Sequence, residues 1–350
     1  MSCYSPSFIQ RSVNKYTGEV STKFLGSVKN CLECNDVLKE KYLGKKTLDF
    51  NFKTEYHGDL NEFVLIPCGK CIGCRIDYKR SWADRLTYHS ILNKENSYFI
   101  TLTYDDEHLH LLDHSPIYDL YSLNFDDMTS FIKKLRNKYR DCNIDYFYSG
   151  EYGDSFFRCH FHLIVFNLPL DDLEFWKLDD QGQPVYTSET IHKLWQNGIC
   201  SVSRFSWLNA AYTAGYVEKK LDGRRMNEYT AVGLTPESCR MSRRPGIAYD
   251  YYQLYHSDIW KNNGLSVSRN VNSSGKLGIP RYFRKLALES INKDNDHYNE
   301  FLEWQSNTNE ISNLLNPLKL DNSSFDLQRV RDMLHFEEQN ILSRQKNRKI

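Results

Sequence analysis

His160, Phe161 and His162 stand in the run RCHFHLIVF (158–166), which reads as a β-strand. Side chains on a strand alternate between faces, so both imidazoles point one way and Phe161 the other. Two histidines at that spacing can offer nitrogens to one divalent cation. The preceding run, DYFYSGE (145–151), also reads as a strand and ends on Glu151, with Gly153, Asp154 and Ser155 in the connecting turn. A hairpin would fold Glu151 back beside the histidines and add an oxygen ligand. Such an N,N,O set with open positions suits Mg²⁺ or Mn²⁺ when a phosphate supplies further oxygens. A packed histidine pair with a surface glutamate is the plain alternative.

The run YTAGYVEKK (212–220) places Tyr212 and Tyr216 four residues apart, one helical turn on one face. Lys219 and Lys220 follow three and four residues after Tyr216, so one or both reach that face. A phenol titrates near about 10, so it is a poor nucleophile at neutral pH without help. A nearby ammonium or a metal-polarised phosphate gives that help, and tyrosine is among the side chains that form covalent intermediates. Packing of two rings is the other reading. Ala210, Ala211, Thr213, Ala214 and Gly215 leave both rings uncrowded. Gly215 weakens a helix and so points to the close approach of another group.

Five of the 10 cysteines fall in close spacings, Cys31 with Cys34, and Cys68 with Cys71 and Cys74. The start, MSCYSPSFIQRS, lacks the apolar stretch of an export signal, so a reducing compartment is expected and metal ligation outranks disulfides. Three thiolates need a fourth ligand to close a tetrahedral zinc site. Iron–sulfur ligation and small buried apolar residues are the alternatives.

The elements that must position these residues follow from periodicity. Residues 1–66 read as an N-terminal arm with short strands, 74–93 as a helix, 97–104 (SYFITLTY) as a strand, and 126–140 as a helix. Residues 207–221 read as a helix capped by Ser206, and 246–260 and 280–305 as helices. The Asn-, Ser- and Gly-rich stretch 261–279 reads as a loop, and no element is assigned between 167 and 206. Strands alternating irregularly with helices suggest an α+β fold on a central antiparallel sheet flanked by helices, with a helical C-terminal extension. The expected organisation is an arm (1–66), a domain with a Cys-rich opening segment (67–290) and a helical tail (291–350).

Of 350 residues, 45 are Lys or Arg and 45 are Asp or Glu, so a uniformly basic nucleic-acid coat is excluded and any such surface must be local. Lys133, Lys134, Arg136, Lys138 and Arg140 form one basic group, Arg240, Arg243 and Arg244 a second, and Arg75, Lys79, Arg80 and Arg85 a third. Each is read either as a phosphate contact or as a solvated face. No apolar run is long enough to span a membrane. No G-x-x-x-x-G-K-[ST] motif occurs, which excludes a P-loop motor.

The runs YFITLTYDDEH (98–108), GEYG…RCHFHLIVF (150–166) and YTAGYVEKK, in that order, resemble the three motifs of the His-hydrophobic-His (HUH) replication endonucleases. With PCGKCIGCR (67–75) and MSRRPGIA (241–248), the chain is more closely similar to the replication initiation proteins of microviruses of the gokushovirus type. The resemblance runs from about Pro67 to about Gly246. It implies a rolling-circle initiator that nicks one strand of the phage origin, holds the 5′-phosphate on a tyrosine and later religates it. It implies His160, His162 and Glu151 as ligands of Mg²⁺ or Mn²⁺, Tyr212 and Tyr216 as paired nucleophiles, and Lys219 or Lys220 as the assisting lysine. It also implies Cys3 as the fourth thiolate of a zinc site, with Cys31 or Cys34 as the alternative. Lys133, Lys134, Arg136, Arg243 and Arg244 are expected on single- or double-stranded DNA. A host helicase and polymerase are expected as partners, in the bacterial cytoplasm. Cys159 stands where the family more often shows proline. A zinc-stapled DNA-binding regulator without catalysis, and a related relaxase or transposase, are the competing readings.

Overall fold

The computed structural model describes residues 3, 5, 7–13, 20–27, 51–56, 59–112, 120–153, 157–220, 228–270, 273–290, 295–315, 335–336 and 338–343. The chain parts into two compact units, Met1–Asp77 with Glu303–Ile350, and Tyr78–Leu302.

In the first unit, β1 (Ser7–Val13), β2 (Val20–Ser27), β3 (Asn51–Tyr56) and β4 (Asp59–Ile66) form an antiparallel sheet in the order β2-β1-β4-β3. The expected arm with short strands is therefore a four-stranded sheet. Ser7 pairs with Ile66, which brings the two flanks of the β1–β4 ladder together.

The second sheet has seven strands: β5 (Tyr98–Tyr104), β6 (Asp145–Tyr152), β7 (Cys159–Phe166), β8 (Leu173–Leu178), β9 (Pro184–Ser188), β10 (Gly198–Arg204) and β11 (Ser238–Met241). Their order is β11-β6-β7-β5-β10-β9-β8, antiparallel throughout, so the α+β expectation holds. Alternation in YFITLTY explains why the sheet has two faces. Tyr98, Ile100, Leu102 and Tyr104 are buried, while Phe99, Thr101 and Thr103 are half-buried on the other face. The buried face joins Phe161, Leu163 and Val165 of β7 under two helices. These are α2 (Phe125–Lys138), with Phe125, Met128, Phe131, Ile132 and Leu135 inward, and α3 (Glu189–Trp195), with Ile191 and Trp195 inward. The Asn124 side chain caps α2 by accepting from the Asp126 amide at 3.0 Å.

The helix α1 (Ile72–Ile91) precedes the sheet, and α4 (Trp207–Lys220) follows β10. Buried Asp84 of α1 accepts from Trp207 Nε1 at 2.8 Å and from the Gly278 amide at 2.9 Å, which fixes the start of α4. Ser206 caps α4 by accepting from the Asn209 amide at 3.1 Å. Beyond β11 come α5 (Tyr249–Lys261), α6 (Arg281–Glu289) and α7 (Asn295–Leu315). The stretch expected to be a loop contains a hairpin instead, β12 (Leu265–Asn270) with β13 (Ser273–Leu277). Leu265 pairs with Leu277, and Leu265 and Val267 are half-buried while Ser266 between them is exposed. This period-two pattern is short, and the surrounding Asn and Ser mask it. Among the described residues no helix is long and apolar enough to cross a membrane.

Candidate active site

The β6–β7 hairpin sets Glu151 directly opposite His160 and Ser149 opposite His162. Phe161 enters the core, so both imidazoles lie on the other face of the sheet. Glu151 Oε1 meets His162 Nε2 at 2.6 Å and makes a closer contact with His160 Nε2. The second nitrogen of each ring is also engaged. His160 Nδ1 donates to the Arg158 carbonyl at 2.9 Å, and His162 Nδ1 lies 3.2 Å from Thr101 Oγ1. A carbonyl only accepts, so His160 carries its proton on Nδ1, and in the neutral ring Nε2 keeps a lone pair. Metal-binding histidines are held in this way through their outer nitrogen. Arg158 in turn donates Nε to the Tyr104 carbonyl at 3.0 Å and pairs with Asp106, and Phe99 stacks on His162 at 5.3 Å.

Burial would push the Glu151 carboxyl up, but hydrogen bonds from His160 and His162 outweigh it and hold Glu151 well below the usual carboxylate range. Burial pulls His162 below the ordinary imidazole value, against the hydrogen bond to Glu151. An ionised carboxylate and a neutral imidazole are the forms that ligate a cation. Glu151, His160 and His162 each bring one ligand atom to within 4.8 Å of the others, so the set fits a small divalent ion.

The helix α4 covers part of this face with Ala210, Ala211, Thr213 and Ala214 buried. Tyr212 remains 47% exposed, which leaves its phenol open to a macromolecular substrate. Its hydroxyl donates to Glu151 Oε1 at 3.3 Å, and its ring meets His162 edge-on at 5.0 Å. The structure thus gathers Tyr212, Glu151, His160 and His162 around one point. Tyr216, Lys219 and Lys220 lie further along α4, and their side chains fall outside the described residues. Gly215 accommodates Lys79, since a Cβ there would lie 3.3 Å from Lys79 Nζ.

Cys3, Cys68, Cys71 and Cys74 form a second group with all sulfurs within 4.8 Å. Cys31 and Cys34 lie outside the described residues. Cys68 Sγ is 3.9 Å from Cys74 Sγ, and Cys71 Sγ is 3.9 Å from Cys3 Sγ. Sulfurs about 2.3 Å from a tetrahedral zinc lie roughly 3.8 Å apart. Amides of Lys70 and Cys71 donate to Cys68 Sγ at 3.4 and 3.3 Å, and the Cys68 amide donates to Cys3 Sγ at 3.3 Å. Burial pushes the Cys74 thiol up to about 12, so without a cation it stays protonated.

The basic helix is not at the site. Lys133, Lys134 and Arg136 are on α2, which packs against the opposite face of the sheet. Lys134 Nζ donates to the Leu194 carbonyl at 3.4 Å and to Gln196 Oε1 at 3.2 Å, and Arg136 donates to the Ile144 carbonyl at 2.9 Å. Arg243 and Arg244 are exposed between β11 and α5. The motifs do not reveal Thr101, Phe99, Lys79 or the Arg158 carbonyl. Thr101 is within reach of sequence reasoning, because antiparallel pairing of β5 with β7 places it opposite His162.

The family model of the replication-associated protein ORF2 matches residues 97–221, a span that contains Glu151, His160, His162, Tyr212 and Tyr216. The chain is 33% identical over 261 residues to the replication-associated protein ORF2 of Spiroplasma virus 4, covering 70% of this chain and 78% of that relative. It is 33% identical over 228 residues to the replication-associated protein VP4 of Bdellovibrio phage phiMH2K, covering 62% and 66%. It is 30% identical over 277 residues to the replication-associated protein ORF4 of Chlamydia phage 1, covering 70% and 60%. No solved structure matches the chain.

Proposed function

We propose, from the premise that this chain belongs to the family of phage replication-associated proteins, that it starts rolling-circle replication of a phage genome as a metal-dependent single-strand endonuclease and strand transferase. The observation that carries this reading is the 3.3 Å contact between Tyr212 Oη and the carboxylate shared by the two histidines.

Tyr212 attacks the scissile phosphorus at the origin. The Oη–P bond forms as the bond from phosphorus to the 3′-oxygen breaks. The phenolic proton ends on that oxygen, leaving a free 3′-OH for a polymerase and a 5′-phosphotyrosine. Attack by the 3′-OH of a completed strand reverses these bonds, so rejoining needs no nucleotide cofactor. Glu151 holds the phenol beside the histidines, while Thr101 and the Arg158 carbonyl keep each Nε2 turned toward the phosphate. A Mg²⁺ or Mn²⁺ ion held by Glu151, His160 and His162 supplies charge neutralisation at a non-bridging oxygen. Tyr216, one turn along α4, serves as the second nucleophile, with Lys219 or Lys220 assisting. The origin is the substrate, and a host helicase and polymerase in the bacterial cytoplasm complete the cycle.

The four cysteines suit a structural Zn²⁺ that joins the flanks of the β1–β4 ladder to the start of α1. Lys133, Lys134, Arg136, Arg243 and Arg244 serve, in this reading, as phosphate contacts away from the reacting centre.

The test is a cleavage assay on single-stranded circles of the phage genome with Mn²⁺. Tyr212→Phe and His160→Ala each reduce nicking at least a hundredfold while keeping the wild-type circular dichroism. Undiminished nicking by His160→Ala removes the metal role.

A further inference from the structure

Beside the histidines the open face of the sheet continues into a cleft of about 310 Å³, at the small end of ligand-sized pockets, roughly 300–1,000 Å³. Its floor carries Thr101, Thr103, Ile199 and Ser201 from β5 and β10, and one wall is the hairpin of β8 with β9. We infer that this cleft holds a nucleotide of single-stranded DNA next to the scissile phosphate, with Trp176 stacking on its base. The inference deepens the strand-transfer reading above and rests on it.

Three observations support it. The first is continuity with the reacting centre. Thr101 and Phe99 line the cleft and also contact His162. Asn209 lines it from α4, one turn before Tyr212. A strand whose phosphate lies at Tyr212 is blocked by α4 over β6 and β7, and the floor of β5 and β10 is its open path.

The second is the backbone of β8. Phe175 pairs with Tyr186 and Lys177 with Val185, so Trp176 is an extra, bulged residue. In a regular strand, neighbours point to opposite faces. Here Trp176 and Lys177 both line the cleft, and Lys177 Nζ sits 4.5 Å from the indole centroid. The bulge re-aims the indole and brings an ammonium with it. Asp179, the acidic group of the lining, accepts from the Gln181 and Gln183 amides at 2.9 and 2.8 Å in the hairpin turn.

The third is chemistry. Ile199 is 64% exposed and Trp176 47% exposed, two apolar groups facing solvent beside hydroxyls of Thr103 and Ser201. An aromatic plate, an apolar floor, hydroxyls and one cation match a base with its sugar and phosphate.

The experiment uses the full chain, its metals in place, with labelled single-stranded oligonucleotides spanning the nick and one abasic position walked along them. Trp176→Ala weakens binding roughly tenfold, in the range of one lost base stack, and Trp176→Phe recovers part of it. Tyrosine adduct yield at saturating DNA stays at the wild-type level. At one abasic position beside the nick, wild type and Trp176→Ala bind equally. Equal binding of both proteins to intact DNA overturns the inference, as does the same tenfold gap at every abasic position. If the adduct forms and Trp176 has no effect, the nickase reading stands and the cleft falls. If binding depends on Trp176 but no adduct forms in the wild type, the cleft stands and the nickase reading falls.

Discussion

At Glu151 three polar groups meet one carboxylate oxygen: the two imidazole Nε2 atoms and the Tyr212 hydroxyl. A buried anion so engaged is a stable ligand for a cation, and its value depends on which nitrogen of each ring is presented. Thr101 and the Arg158 carbonyl decide that. Thr101→Val keeps the side-chain volume and removes the hydroxyl opposite His162. It should lower Mn²⁺ affinity by about 10–100-fold, the usual effect of losing an outer partner. Mn²⁺ titration calorimetry measures this, and an unchanged affinity would show that Thr101 does not orient His162. The twin histidines, Glu151 and Tyr212 are readable from side-chain period alone, because a strand and a helix each put alternating or turn-spaced residues on one face. Thr101 and Trp176 are not. Their roles come from pairing between strands and from a bulge, which one sequence does not display.

At the scale of elements, the hairpin of β6 with β7 must keep its register for Glu151 to face His160. Gly150 secures it by letting Phe161 and Phe125 pack against the strand. A Cβ there would lie 2.8 Å from Phe161 Cε1 and 3.1 Å from Phe125 Cζ. Gly150→Ala should therefore cost about 1–3 kcal/mol through overpacking and displace Glu151, which chemical denaturation and Mn²⁺ titration report together. Full stability in that variant would show that the aromatic rings yield. Gly215 is legible as a point of close approach, and Lys79 is the group that approaches. The strands β8 to β10 fall where periodicity assigns no element, and the β12–β13 hairpin falls where composition predicts a loop. In both, short strands lie among turn-forming residues, so local composition outweighs a weak period-two pattern.

At the scale of the molecule, the family match and the site fall on the same stretch, since residues 97–221 hold the central strands and α4. The cysteine group stands in the other unit and ties Cys3 to Cys68, Cys71 and Cys74. If it holds structural zinc, purified protein carries one Zn²⁺ per cysteine group, and Co²⁺ substitution gives the visible absorption of a tetrahedral thiolate site. Cys68→Ser loses the metal and lowers the melting temperature, because ligation energy is folding energy. Metal analysis showing no zinc, with unaltered melting in Cys68→Ser, would leave four packed thiols. The most direct measurement concerns the phenol: incubate the protein with single-stranded origin DNA and Mn²⁺, digest it, and locate the nucleotide-linked peptide by mass spectrometry. The account predicts a 5′-phosphate ester on Tyr212 or Tyr216, absent when both are phenylalanine. Cleaved DNA with no modified tyrosine, or an adduct that persists in the double variant, would contradict it.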